Sequence, residues 1–240
     1  METKKTSKPI AEVISYITLR RIIGILGFSF PFVMIIGTVC CGDCQTILPS
    51  ISAYYHTSMR NVFVGYLCSL ALFLYTYRGY NGTDNIVGNL AGIFALGGAF
   101  FPTSVLESLG SCILYRYDNP IFDTIHNVSA GGFLLSLAYF SYYLFTITDD
   151  EPSKMKLFRN KCYRWIGRIM LACVLLILVY FILKHFGYLG GLKKYHPVFW
   201  LETVALCSFG ISWFIKGRAI LMDVEEQENK PAQKQQQDQN

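Results

Sequence analysis

Ser52 and His56 stand four residues apart, a spacing that puts both side chains on one face of a helix. Asp123 and His126 stand three apart and share a face by the same rule, with Asn127 and Ser129 following directly. Glu202 lies six residues past His196, inside an apolar stretch. An ionisable group at that depth costs several kcal/mol unless paired or wet, so it marks a functional site by default. Lys184 or a histidine from another segment could pair with it.

These residue types admit three chemistries. As a metal centre, His56, His126 and Asp123 would offer zinc imidazole nitrogen and carboxylate oxygen, with one position open for water. As an acid–base pair, His126 oriented by Asp123 would act with or without Ser52 as nucleophile. As a binding pocket, Ser52, His56, Asp123, His126, Asn127, His196 and Glu202 would hold a lipid headgroup without reaction. A fourth reading needs no site, because histidines at helix ends can simply bond to free carbonyls. HExxH, GxSxG, P-loop and dinucleotide signatures are absent.

The elements that must position these groups are legible from composition. The charged fraction of the 240 residues is 15%, against about 25% in an average soluble domain. The hydrophobic fraction is 52%, gathered in six blocks at 22–41, 61–77, 85–102, 122–146, 166–186 and 197–215. About 20 apolar residues carry a helix across about 30 Å of hydrocarbon. Lipid cannot satisfy bare backbone groups, and the blocks do not alternate as barrel strands do, so each is expected to be helical. The residues up to Arg21 are too long for a signal-peptide n-region and no A-x-A site follows, so the first block also reads as a span. The expected fold is an all-α bundle of six transmembrane helices.

With the N-terminus inside, only Arg60, Arg116, Lys184, Lys193 and Lys194 of the 21 Lys and Arg residues fall outside. That asymmetry puts both termini in the cytoplasm. The net charge of +5 then reflects topology and anionic headgroups, not nucleic-acid binding. The domain layout is a basic cytoplasmic segment at 1–21, a six-span domain at 22–216 and a polar, disordered cytoplasmic tail at 217–240. Lys154 to Arg168 reads as a basic inner loop. Glycines at 88, 92, 97 and 98, and Ala130-Gly131-Gly132, make the third and fourth spans the expected central, tightly packed pair.

In this topology all four histidines, His56, His126, His185 and His196, map to the outer side. Cys40, Cys41, Cys44 and Cys112 do too, and a bridge from Cys44 to Cys112 would tie the first outer loop to the second. The sequons at Asn81 and Asn127 fall on the cytoplasmic side and within a span, so neither is expected to carry glycan.

Leu48-Pro49-Ser50-Ile51-Ser52, Tyr77-Arg78, Gly92, Phe100-Phe101-Pro102 and His126-Asn127 with Ala130 to Phe133 follow an order that resembles the six-span DRAM/Frag/Sfk type of membrane protein and its bacterial relatives. The resemblance covers about residues 20–216. It implies a membrane protein that handles or senses lipid, from a group acting in autophagy regulation, lipid-anchor remodelling and phosphoinositide-kinase recruitment. Ser52-Ala53-Tyr54-Tyr55-His56 is also similar to the SxxxH element of the CREST membrane hydrolases. That likeness implies a zinc-dependent lipid amidase or esterase. Asp84 follows at that family's distance but on the opposite side of the membrane, so Asp123 would take its role.

Overall fold

The computed structural model describes residues 16–41, 44–77, 82–104, 112–147, 153–188 and 191–221. The first part of the basic N-terminal segment, the Asn81 sequon and the tail beyond 221 lie outside the described residues. Among the described residues every regular element is helical. The long helices are α1 (Tyr16–Cys40), α2 (Arg60–Thr76), α3 (Gly82–Phe100), α4 (Pro120–Tyr142), α5 (Lys154–His185) and α6 (Pro197–Lys216). Short 3-10 turns cover Ser52–His56, Leu144–Thr146 and Lys193–Tyr195.

Each helix packs on its sequence neighbours and α1 packs on α6, which closes a ring of six. Directions alternate around it. At one end Arg21 Nε donates to the Gly217 carbonyl at 2.9 Å, joining the start of α1 to the end of α6. Arg20 sits 5.7 Å over the Tyr77 ring just past α2, and Arg159 of α5 donates to the Leu221 carbonyl at 3.1 Å. This is the basic end. At the other end the Phe199 N–H of α6 donates to the Pro49 carbonyl at 3.1 Å. This is the loop end.

Four helical segments are long and apolar enough to cross a membrane: Tyr16–Cys40, Pro120–Thr146, Lys154–His185 and Lys193–Lys216. These are compatible with a membrane protein. The outer surface of the ring is apolar as well, with Ile25, Leu72, Ile93, Leu135, Leu175 and Leu178 all exposed. In water such a surface would be an aggregation liability; against hydrocarbon it costs nothing.

Two sequence expectations change. The basic segment Lys154 to Arg168 is helix, not loop. Ser153 Oγ accepts from the Lys156 N–H at 3.1 Å, and the segment's Lys, Arg, Met and Leu are strong helix formers. The 32 residues of α5 therefore make a rod of roughly 48 Å, longer than the thickness of a bilayer's hydrocarbon, about 30 Å. The glycine-rich pair α3 and α4 is closely packed, and α4 also reaches across the ring to α6, whereas α3 packs chiefly on α2 and α4. A Cβ built on Gly132 of α4 would meet the Phe94 ring of α3 at 2.7 Å, and one on Gly88 of α3 the Leu74 carbonyl of α2 at 2.8 Å.

A clustered aromatic floor fills the basic end. The Trp213 ring lies 5.0 Å from Tyr77, 5.1 Å from Phe145 and 5.9 Å from Phe140, which locks α2, α4 and α6 together. With that end sealed, open volume is left at the loop end.

Candidate functional site

A cavity of about 540 Å³ lies at the loop end between α4, α5, α6 and the segments before α2 and α4. Its volume falls within the usual range for a ligand site. α4 and α5 meet closely near the basic end, where a Cβ on Gly167 would touch Tyr142. Towards the loop end the cavity separates Ala130, Gly131 and Leu134 of α4 from Val174, Ile177 and Leu178 of α5. Leu135, Leu178 and Phe181 line it and are also exposed on the outside of the ring, so the cavity reaches the apolar surface.

Six of the seven residues singled out from the sequence line this space: Ser52, His56, Asp123, His126, Asn127 and Glu202. Lys184 lines it too. His196 does not. It caps α6 in the left-handed conformation at φ 49°, and it is assigned to the helix end instead of the pocket. His185 is likewise outside the lining, exposed beside Phe186.

His126 is buried on α4. Its Nδ1 lies 2.7 Å from the Phe101 carbonyl and its Nε2 lies 2.7 Å from Ser52 Oγ. A carbonyl only accepts, so Nδ1 carries the ring proton and donates. Nε2 of the neutral ring is then bare and accepts from the Ser52 hydroxyl. The tautomer follows from the partners.

Asp123 does not orient His126, contrary to the sequence expectation. Its Oδ1 accepts from Thr103 Oγ1 at 2.8 Å and from the Ser104 N–H at 2.6 Å. Its Oδ2 accepts from Asn127 Nδ2 at 3.1 Å. The carboxylate thus anchors the chain leaving α3 to the first turns of α4. The group that orients His126 is a backbone carbonyl, which residue types alone do not reveal. Its signal was Pro102. Proline drives its predecessor out of helix, so the chain turns at Phe101 and frees that carbonyl.

Glu202 Oε2 accepts from the Ile51 N–H at 2.6 Å, which joins α6 to the turn that holds Ser52. A smaller space of about 50 Å³ lies behind, walled by Phe30, Phe63, Phe94 and Leu206. It shares Ser52, His126, Ala130, Leu134 and Glu202 with the larger cavity.

The disulfide expected between Cys44 and Cys112 is present. It holds the loop entering the Ser52 turn beside the segment whose Leu114 and Tyr115 N–H groups donate to the His56 carbonyl, at 2.8 and 3.1 Å.

The proposed zinc ligands do not form a set. His56 Nδ1 lies 2.8 Å from the Tyr115 carbonyl and Nε2 lies 2.8 Å from the Thr103 carbonyl. Both nitrogens thus face acceptors, and His126 spends its own on Phe101 and Ser52. Asp123 is turned to Thr103 and Ser104. Among the described residues no group of three His, Cys, Asp or Glu is arranged to hold a metal. Asp84 is no substitute. It is buried in the first turn of α3, about 25 Å along that helix from Phe101.

His56 gives a pH prediction. Burial is the largest influence and lowers its pKa below the ordinary 6.5, with Arg60 acting in the same direction against the two carbonyls. A folded-state pKa below the unfolded value means that the unfolded chain binds more protons in acid, so stability is lost as pH falls below about 6.5. Thermal unfolding in detergent should show Tm falling over that range, and His56→Gln should flatten the decline. An equally steep decline in the variant would assign the effect to another group.

No family model matches this chain, and no curated protein or solved structure is detectably similar to it.

Proposed function

We propose that the chain is a multi-pass membrane protein of six spans, both termini cytoplasmic, that binds a membrane lipid in the loop-end cavity. The lipid's polar head meets Ser52, His126, Asn127 and Glu202, and its tail lies along α4 and α5. The observation that carries this reading is the cavity's division into two kinds of wall. One is polar, from Ser52 to Glu202, and the other is apolar, from Leu134 to Phe181. An amphiphile matches both, whereas a small polar solute would leave the apolar wall wet. Leu135 and Phe181, exposed on the ring's outside, give a lateral path from the bilayer.

The topology rests on three supports. Helix directions alternate, so α2 and α3, shorter than the others, lie alongside the four long apolar segments. Arg20, Arg21, Lys156, Arg159 and Lys216 gather at the basic end, as the positive-inside rule requires of a cytoplasmic face. The disulfide at the loop end suits an oxidising compartment on the other side. The resemblance to the DRAM/Frag/Sfk type points to the same lipid role.

The test is the lipid content of detergent-purified protein, read by native mass spectrometry. Gly131 lines the cavity and a Cβ there would meet nothing within 4 Å. Gly131→Leu should therefore fill the space without disturbing the packing, and bound lipid should fall at least about tenfold, the equivalent of 1.4 kcal/mol. Wild-type protein free of lipid, or a variant that retains as much, would overturn the reading.

A further inference from the structure

We infer that Ser52 is a nucleophile and His126 its general base, which would make the loop-end cavity the site of a metal-independent serine hydrolase acting on lipid esters. The inference deepens the lipid-binding reading and rests on it for the substrate class. Its own support is geometric. The Ser52 hydroxyl is 2.7 Å from His126 Nε2, and the opposite ring nitrogen is fixed by the Phe101 carbonyl at 2.7 Å. A nucleophile bonded to a base, with the base oriented by a third group, is the arrangement that activates serine. Here a main-chain oxygen holds the tautomer that leaves Nε2 free to take a proton.

Placement supports the same reading. Ser52 is partly exposed, while His126 is buried behind it. Both line the larger cavity and the small apolar space behind it, so an ester carbonyl at Ser52 would have room on either side. A hydroxyl serving only to tie a loop to α4 has no need to stand at the junction of two open volumes. Asn127 and Lys184 line the same cavity, and both carry N–H groups of the kind that stabilise negative charge on a carbonyl oxygen.

The chemistry balances without a further reactant. Ser52 Oγ attacks the ester carbonyl carbon as its proton passes to His126 Nε2. The tetrahedral intermediate collapses, the C–O bond to the alcohol breaks, and the alcohol leaves with the proton from Nε2. Water then attacks the acyl-serine, giving a proton to Nε2. Collapse releases the carboxylic acid and returns the proton to Ser52 Oγ. The sum is ester plus water giving acid plus alcohol.

The experiment treats the purified full-length chain with a long-chain alkyl fluorophosphonate, which forms an Oγ–P bond and expels fluoride. The expected result is one adduct per chain on the peptide holding Ser52, none in Ser52→Ala, and labelling about 100-fold slower in His126→Gln. Should a variant fail to fold, wild-type protein decides alone. It should also hydrolyse a medium-chain p-nitrophenyl ester and show an acyl adduct by intact mass when quenched. No adduct on folded wild-type protein, an adduct on another residue, or an undiminished rate in folded His126→Gln overturns the proposal. Lipid retained by a chain that does not label leaves the binding reading standing and removes the nucleophile. Labelling at Ser52 by a short-chain probe, with no lipid retained, does the reverse.

Discussion

Replacing Cys112 with serine should destabilise the protein by up to about 4 kcal/mol, the chain-entropy value for a loop of this size. The bridge joins residues 68 apart in sequence. That value is a ceiling, because helices persist in a membrane-unfolded chain and already restrict the loop. The local consequence is as large. Cys44 leads into the buried residues Leu48 and Ile51, and Cys112 leads into the two N–H groups that hold His56. Without the bridge both loops lose their common anchor, and the 2.7 Å contact of Ser52 with His126 depends on one of them. Denaturant titration should show the lower stability. Lipid retention and Ser52 labelling should fall with it at temperatures where the helices remain folded. A variant that keeps wild-type stability would place the anchoring in the packed loop residues alone. Cys44→Ser should match it, which separates loss of the bridge from loss of either residue.

Gly210→Ala should cost about 3 kcal/mol, the upper range for overpacking a close contact. A Cβ at this position would lie 2.7 Å from the backbone nitrogen of Phe28 and 2.8 Å from the Gly24 carbonyl. Backbone atoms cannot swing aside, so α1 and α6 would have to separate along the seam that closes the ring. Gly131→Ala is the control. The same extra methyl enters open space there, and the helix gains by losing a glycine, by about 0.5 to 1 kcal/mol. Thermal unfolding of the two variants should thus shift in opposite directions. If both fall together, the α1–α6 contact is not the reason. Hydrocarbon offers apolar helices little reason to associate, so close backbone approach supplies much of the cohesion, and one methyl at such a seam matters more than in a water-driven core.

The sequence by itself determined that the chain is helical and apolar, where its helical blocks fall, and which polar groups deserve notice. Hydrophobic block length and the scarcity of charge set those features, and both are local. A bridge from Cys44 to Cys112 was also an expectation of the sequence, which put four cysteines on one side; packing decided which two meet. The basic stretch that opens α5 was harder, since a solvated helix and a solvated loop have the same composition; Ser153 as cap was its available signal.

Only the tertiary structure decided the partners. Residue spacing gave Asp123 to His126, yet the carboxylate went to Thr103 and Ser104 and the Phe101 carbonyl took its place. Ser52 and His126 stand 74 residues apart and meet because α2 and α3 cross and return to the loop end before α4 begins. His56 lost both nitrogens to main-chain oxygens for the same reason. Every backbone carbonyl is the same in a sequence. Pro102 marks where one is left without a helical partner, but which side chain then reaches it is settled only when the segments pack.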